Sequence, residues 1–349
     1  GEIADEIAKK LEAFANFGFP ESHSVSFAYI VYSSAWIKYH HPAEFACALL
    51  NSQPMGFYSP HTIVRDARRH GVETLGVCIE QSRRDCTLES RSDEAGPQGF
   101  PMRGWHADPS VHALRLGLRY VRGLPSALLD RIDAEREQGP FVDIEDFARR
   151  TDAPVDALES LATAGAFSIF GHDRREALWS AGALRLSRSA LRTGRLPGLV
   201  PGMEAPTLPG MEPEEVVAAD IWATGISPDH HPTEFSRADL AKRGVVTTGS
   251  LRDTPHGTVV EVAGLVTHRQ QPETAGGVVF INLEDEDGLL NVICTAAVWS
   301  RYKRIASRSP ALCVRGILER RRGVTNLLAQ RIEALPISLT GAQRSRDFR

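Results

Sequence analysis

The most constraining feature of the chain is an ordered series of short apolar segments near its end. Residues 257–268, 277–284 and 289–295 each read as a strand, the last two joined by the turn Asp285-Glu286-Asp287-Gly288. Residues 296–305 then take helical spacing, and residues 311–318 and 324–332 return to strand patterning around Arg320-Arg321-Arg322-Gly323. Three strands, a helix and two strands is the order of an OB barrel. A sandwich of two sheets is the rival arrangement, but it has no regular place for a helix between the third and fourth strands. The region expected to form this domain is 244–336, followed by a basic tail at 337–349.

The first 110 residues read differently. Ile3, Ile7, Leu11 and Phe14 recur at helical spacing, so residues 2–16 are expected to form an amphipathic helix. Gly18 and Pro20 break it, and Ser22 or Ser24 is placed to cap the next. Residues 25–39 are apolar nearly all round, which predicts a helix buried among others. Pro42 opens a third helix running to Asn51, and Ser59-Pro60 opens a fourth that carries Arg65, Arg68 and Arg69. Residues 72–79 read as a strand and 90–110 as a loop.

The segment 111–192 reads as a module of short helices with two tight turns. Leu114, Leu116, Leu118 and Tyr120 alternate with Arg115, Gly117 and Arg119, predicting a strand with one basic face. Val121-Arg122-Gly123-Leu124-Pro125 then leads into a helix. A turn of the form hydrophobic-x-Gly-hydrophobic exposes backbone N–H groups beside a helix N-terminus, a site suited to a phosphate oxygen. The plain alternative is a strand-to-helix connection that happens to contain Gly. Ala164-Gly165-Ala166 would be the partner hairpin, or else an ordinary helix C-cap. Residues 193–243 are expected to be a connector, rich in Pro and Gly at first and acidic later. On sequence alone the whole is an α+β multidomain chain: a mostly helical segment over 1–110, the hairpin module over 111–192, the connector, then the barrel.

Charge is distributed unevenly over a net −4. Of 40 basic residues, 35 are Arg. From Arg301 to Arg349 twelve basic residues face three acidic ones, whereas Glu204 to Ser236 holds seven acids and no Lys or Arg. A basic end behind an acidic connector points to an anionic partner. The five cysteines form no CxxC pair, and His40-His41 and His230-His231 have no Cys or carboxylate cluster at ligand spacing, so neither zinc nor a disulfide framework is expected. Phosphate-loop, GxSxG and HExxH motifs are absent from the sequence. No run of apolar residues is long enough for a membrane span, and a cytoplasmic location is expected. The opening Gly1-Glu2-Ile3 carries neither Met nor a leader pattern and reads as internal to a longer chain.

Taken together, several stretches are similar to the C-terminal part of the bacterial C-family DNA polymerases, the polymerase III alpha-subunit family. Phe17-Gly18-Phe19-Pro20-Glu21-Ser22-His23-Ser24 and Trp36-Ile37-Lys38-Tyr39-His40-His41-Pro42 resemble the family's fingers. The stretches 116–124 and 161–167 resemble its tandem helix-hairpin-helix region, and 279–285 its OB domain. The wording of residues 20–24 and 85–89 is most like the error-prone, damage-induced branch. The resemblance implies a DNA-directed DNA polymerase that works in translesion synthesis and DNA repair. It places Ser22, His23 and Lys38 near the incoming nucleotide or template, with Arg65, Arg68 and Arg69 as further phosphate contacts. It places Arg119, Arg122, Gly123 and Gly165 on duplex phosphates, and Arg269, Phe280 and Asn282 against single-stranded template. The partners implied are primed DNA, dNTP in the complete enzyme, and accessory translesion proteins. The family's palm aspartates precede the matched region, so no catalytic residue and no bound cofactor are expected in this chain. Mg2+ belongs to the complete polymerase, and the chain alone should be inactive. Thr207-Leu208-Pro209-Gly210-Met211-Glu212 lacks the Gln and aromatic of a clamp-binding peptide, which argues against direct sliding-clamp contact. A non-catalytic scaffold whose hairpin and OB modules bind proteins is the alternative.

Overall fold

The computed structural model describes residues 3–7, 21–56, 58–91, 111–191, 205–321, 323–337 and 346–348. Most of the expected loop at 90–110, the first part of the connector and Arg322 lie outside the described residues, as does most of the expected first helix, of which 3–7 (α1) is helical.

Local signals account for the helix starts. Pro42 opens α3 (Pro42–Asn51). The Ser59 side chain accepts from the Thr62 N–H at 3.1 Å to cap α4 (Pro60–Arg69). Asp143 caps α6 (Ile144–Thr151) through the Asp146 N–H at 2.7 Å. Glu212 and Glu215 form a reciprocal capping box on α9 (Pro213–Ala223). Between these lie α5 (Ser126–Glu137), α7 (Val155–Thr163) and α8 (Arg174–Leu191).

A small sheet ties the first segment to the hairpin module. Strand β3 (His112–Arg115) pairs in parallel with β1 (Thr74–Leu75) and antiparallel with β2 (Thr87–Ser90). The boundary expected near residue 110 therefore falls inside a sheet, and one apolar core runs from Ala43 through Phe147 and Phe167 to Ile226. The strand expected over 72–79 is two residues long, and the basic-faced strand over 114–120 ends at Arg115. A Cβ on Gly117 would sit 2.4 Å from the Asp85 carbonyl carbon, so no alternating strand side chain fits there. A 3-10 turn, Leu118–Tyr120, follows instead. Arg115 turns inward onto both carboxylate oxygens of Glu89, at 2.6 and 2.8 Å.

Two other expectations are overturned. Helix α2 (Glu21–His40) is not buried: Tyr29 is 74% exposed and Tyr32 72%. It packs on α3 and is pinned near its end by Lys38 to Asp66 at 2.7 Å, which leaves the rest of its apolar circumference uncovered among the described residues. Residues 213–243, expected as connector, are packed: α9 and Ile226 enter the helical core, Leu240 of α10 (Arg237–Lys242) is buried, and Ser227, His231 and Thr233 are fully buried.

The last part is a closed five-stranded barrel. Strands β4 (Val259–Gln270), β5 (Val279–Glu284), β6 (Leu289–Cys294), β7 (Ala311–Arg321) and β8 (Val324–Ala334) run in the order β5-β6-β8-β7-β4, with β4 pairing back onto β5. Helix α11 (Ala296–Arg308) stands between β6 and β7, capped by Thr295. This is the OB topology that the segment order implied. Residues 346–348 of the tail form β9 (Arg346–Phe348), parallel to β4 at His268–Gln270.

The barrel and the helical part have separate apolar cores, and a polar joint links them. Arg69 of α4 lies 3.5 Å from Glu284 at the end of β5, and the Thr62 hydroxyl donates to the same carboxylate at 2.8 Å. Arg65 reaches Glu234 at 3.4 Å and the Glu286 carbonyl at 3.3 Å, and Arg68 reaches Asp229 at 3.0 Å. Arg237 forks onto Glu286. Beneath the joint the His61 and His231 rings lie with centroids 5.7 Å apart and planes tilted by 37°, both buried. The His61 Nδ1 accepts from the Ser227 N–H at 3.2 Å, which requires it to be unprotonated. Burial, with Arg65 and Arg69 adding to it, holds the His61 imidazole down to about 3, and burial holds His231 down as well.

Two outcomes follow from the joint. Glu284→Ala leaves the buried Arg69 with only Asp66 at 4.0 Å and should cost about 3 kcal/mol in denaturant unfolding, with Glu284→Gln costing less because the Thr62 bond survives. A His61→Gln variant tests the neutral imidazole. His61 has a folded value below its ordinary 6.5, so its contribution is complete above pH 6.5 and is lost as pH falls toward 3. Asp220 and Asp285, raised to about 6 by burial, act in the opposite sense but are common to both proteins. The stability advantage of the natural chain over the variant should therefore shrink below pH 6.5, by at most about 1.4 kcal/mol per pH unit.

Candidate nucleic-acid interface

The first hairpin is open to solvent. Gly123 has φ +76, a left-handed backbone that favours glycine, and lies exposed between the 3-10 turn and the start of α5. The Arg122 N–H donates to the Ala223 carbonyl at 2.7 Å, which fixes the turn against α9. Its exposed guanidinium lies 5.3 Å over the Trp222 ring. Turn and helix thus present a twelve-residue helix N-terminus beside an exposed cation, the arrangement that suits a phosphate.

Two arginines that sequence reasoning passed over belong to this site. Arg84 donates to the Ser126 hydroxyl at 3.0 Å, at the first residue of α5, and to Asp130 at 3.3 Å. Arg83 pairs with Asp133 one turn further on. Both side chains are about half exposed or more. The signal was the Arg83-Arg84 doublet, but nothing in the sequence says that it folds back onto a helix over forty residues away.

Arg119 is placed differently. It donates to the Gln53 and Asn51 carbonyls at 2.9 and 3.3 Å and pairs with Asp85 at 2.9 Å, so its charge is committed to the fold. The second hairpin is partly covered as well. Gly165 has φ +75, but the Arg174 side chain crosses it, and a Cβ there would meet Arg174 Nε at 3.0 Å. Arg174 is held by Asp220 at 2.7 Å, whose carboxyl burial pushes up to about 6. Arg175 forks onto Glu215 and bonds the Pro209 carbonyl at 2.8 Å, which ties down the 207–212 stretch. A cleft of about 600 Å³ remains beside this hairpin, lined by Gly165, Ser168, His172 and Arg174.

The remaining residues named from sequence fall into three places. Ser22 and His23 lie exposed at the start of α2, the His ring edge-on to Phe27. Lys38 is fifteen residues further along the helix, about 22 Å away at 1.5 Å per residue, so α2 does not bring the three together. Arg65, Arg68 and Arg69 are taken up by the acids of the joint and do not form an open phosphate site. On the barrel, Arg269 is 6% exposed and donates to the Ala306 and Ser309 carbonyls at 2.6 and 2.7 Å. It caps the end of α11 and does not face a strand of template. Phe280 and Asn282 do share an outward, half-buried face of β5, opposite Gln270 and His268 of β4. Asn282 Nδ2 lies 2.6 Å from His268 Nε2. Arg320 bonds the Leu251 and Arg252 carbonyls. Among the described residues no group of three or more His, Cys, Asp or Glu stands close enough to hold a metal ion. Nor is any described helix long and apolar enough to cross a membrane.

Comparison with known sequences agrees with this geometry. Residues 71–177 match the helix-hairpin-helix motif, and residues 260–335 match the OB-fold nucleic acid binding domain. Over all 349 residues the chain is 48% identical to the error-prone DNA polymerase of Mycobacterium bovis. It is 47% identical to that of Nocardia farcinica and 44% to that of Corynebacterium efficiens, again over its full length. Along its full length the chain is thus similar to part of the error-prone DNA polymerases. It spans about 30% of the length of these relatives. The helix-hairpin-helix match begins at residue 71 and so takes in the small sheet that crosses the expected boundary at 110.

The two arginines before the first hairpin are separable by experiment. Arg119→Ala leaves backbone carbonyls without their donor and should lower thermal stability by about 1–3 kcal/mol. Arg122→Ala should change it by less than about 0.5 kcal/mol, since the anchoring bond is made by backbone.

Proposed function

We propose that this chain is the duplex-gripping and template-guiding part of an error-prone DNA polymerase. The exposed Gly123 turn at the head of α5, with Arg122 and Arg84 beside it, carries the reading. Backbone N–H groups, a helix dipole and two cations hold a phosphate without reading its base, which is what a polymerase needs to advance along any sequence. The second hairpin adds a contact through Gly165, with Arg174 over it. The barrel takes the single strand on the face of Phe280 and Asn282. Helix α2, with Ser22, His23 and Lys38, lies on the side of the incoming nucleotide and template.

The full reaction is nucleotide addition to a primer 3′ end in translesion synthesis and DNA repair, in the cytoplasm, with dNTP as substrate and Mg2+ supplied at carboxylates other than the described ones. Partners are primed DNA and accessory translesion proteins. The Arg175 contacts that tie down the 207–212 stretch fit a chain that does not use it to dock on a sliding clamp.

Fluorescence anisotropy on a primer-template with a 5′ overhang tests this. Affinity should fall steeply between 50 and 200 mM salt, on the order of 10-fold or more for a few phosphate contacts, with little sequence preference. The double variant Arg84→Ala/Arg122→Ala should weaken binding and flatten the slope of log affinity against log salt by about 2. A flat salt response of the natural chain, or an unchanged slope in the variant, would sink the hairpin assignment.

A further inference from the structure

The joint between helical part and barrel brings one aromatic ring to the edge of the barrel's outward face. Tyr58, just before α4, is 50% exposed. Its ring stands edge-on to His268 of β4, with centroids 6.3 Å apart and planes at 90°. His268 is the register partner of Asn282 on β5, and Gln270 is the partner of Phe280 one pair along. Residues two apart on a strand share a face about 6.6 Å apart. Tyr58, the His268–Asn282 pair and Phe280 therefore form a row from the α3–α4 loop to the barrel, in which His268 is buried at 6% exposure and the exposed ring is that of Tyr58. Tyr58 also lines an apolar groove of about 540 Å³ with Phe45, Leu49, Met55, Ile63 and Leu289. Leu289 comes from β6, so both parts of the molecule wall this groove.

We propose that Tyr58 is a base-stacking platform at which the single-stranded template passes between the helical part and the barrel. The inference rests on the reading above that the barrel face takes single strand, and it assigns the handover point to a residue outside the barrel. Nucleobases stack on aromatic rings whatever their identity, so such a platform tolerates any sequence. Of the described side chains beside the row, Arg269 is turned into the barrel, and Lys38 near the groove is paired with Asp66. The platform's contribution should therefore be stacking, nearly independent of salt, in contrast to the duplex grip.

The test uses the full chain, with Tyr58→Leu and Tyr58→Phe, against a labelled primer-template with a poly-dT overhang and against the same duplex blunt. Tyr58→Leu should weaken overhang binding about 5- to 100-fold, leave blunt-duplex binding unchanged and leave the salt slope unchanged. Tyr58→Phe, which keeps the ring, should bind as the natural chain does. Unchanged blunt-duplex binding serves as the control for folding. If the natural chain prefers the overhang and Tyr58→Leu prefers it equally, the platform is wrong while the barrel reading stands. If the natural chain shows no preference for the overhang, the barrel reading itself fails and the platform with it.

Discussion

Everything about the relative placement of the two nucleic-acid modules depends on the ionic joint at α4. Arg65, Arg68 and Arg69 rise from one helix and meet Glu234, Asp229, Glu284 and the Glu286 backbone on the other side. The two main apolar cores stop short of this surface, although Leu240 and Val245 pack the α10 segment onto β4 and β7 in a smaller cluster. The buried Arg69–Glu284 pair, flanked by the more exposed Arg65 and Arg68 pairs, joins the two parts, and such pairs are directional. They hold one orientation, where a smooth apolar contact would tolerate several. The orientation matters because it sets the Tyr58 ring against His268, at the seam between the helical part and the barrel.

The joint also explains where the acidity of residues 204–236 goes. Seven acids in a stretch without Lys or Arg suggest a solvated linker. Asp220 meets Arg174, Glu215 meets Arg175, Asp229 meets Arg68 and Glu234 meets Arg65, so four of the seven acids are the counter-charges of arginines far away in sequence. Several arginines expected on DNA are thereby consumed internally. Around the first hairpin, Arg83, Arg84 and Arg122 remain exposed. The two hairpins are alike in backbone, with Gly at φ +76 and +75, but unlike in access, because only the second lies under an arginine side chain.

Local periodicity made much of the fold legible. The barrel's strand and helix order, the Pro and Ser starts of α3 and α4, and both glycine turns could be read from neighbouring residues, since each depends on interactions within a few positions. The misreadings have a common physical origin. The alternation at 114–120 is genuine, but close backbone approach at Gly117 ends the strand. The apolar circumference of α2 is genuine, but nothing among the described residues covers it. A pattern states what a segment needs to bury and not whether a partner is there to bury it.

The candidate site divides along the same line. Chain chemistry by itself determined that residues 121–125 form a glycine turn into a helix, that residues 257–332 close into a barrel, and that the basic charge is nearly all arginine. Those follow from φ preferences, hydrophobic period and composition, which are local. Tertiary structure alone decided which arginines face outward. Arg122 and Arg269 are the same residue type in equally suggestive places, yet one lies over an exposed Trp and the other caps a buried helix end. Whether a guanidinium is free for a phosphate depends on which carbonyls and carboxylates the fold brings within 3 Å of it, and that is a property of contacts between segments distant in the chain.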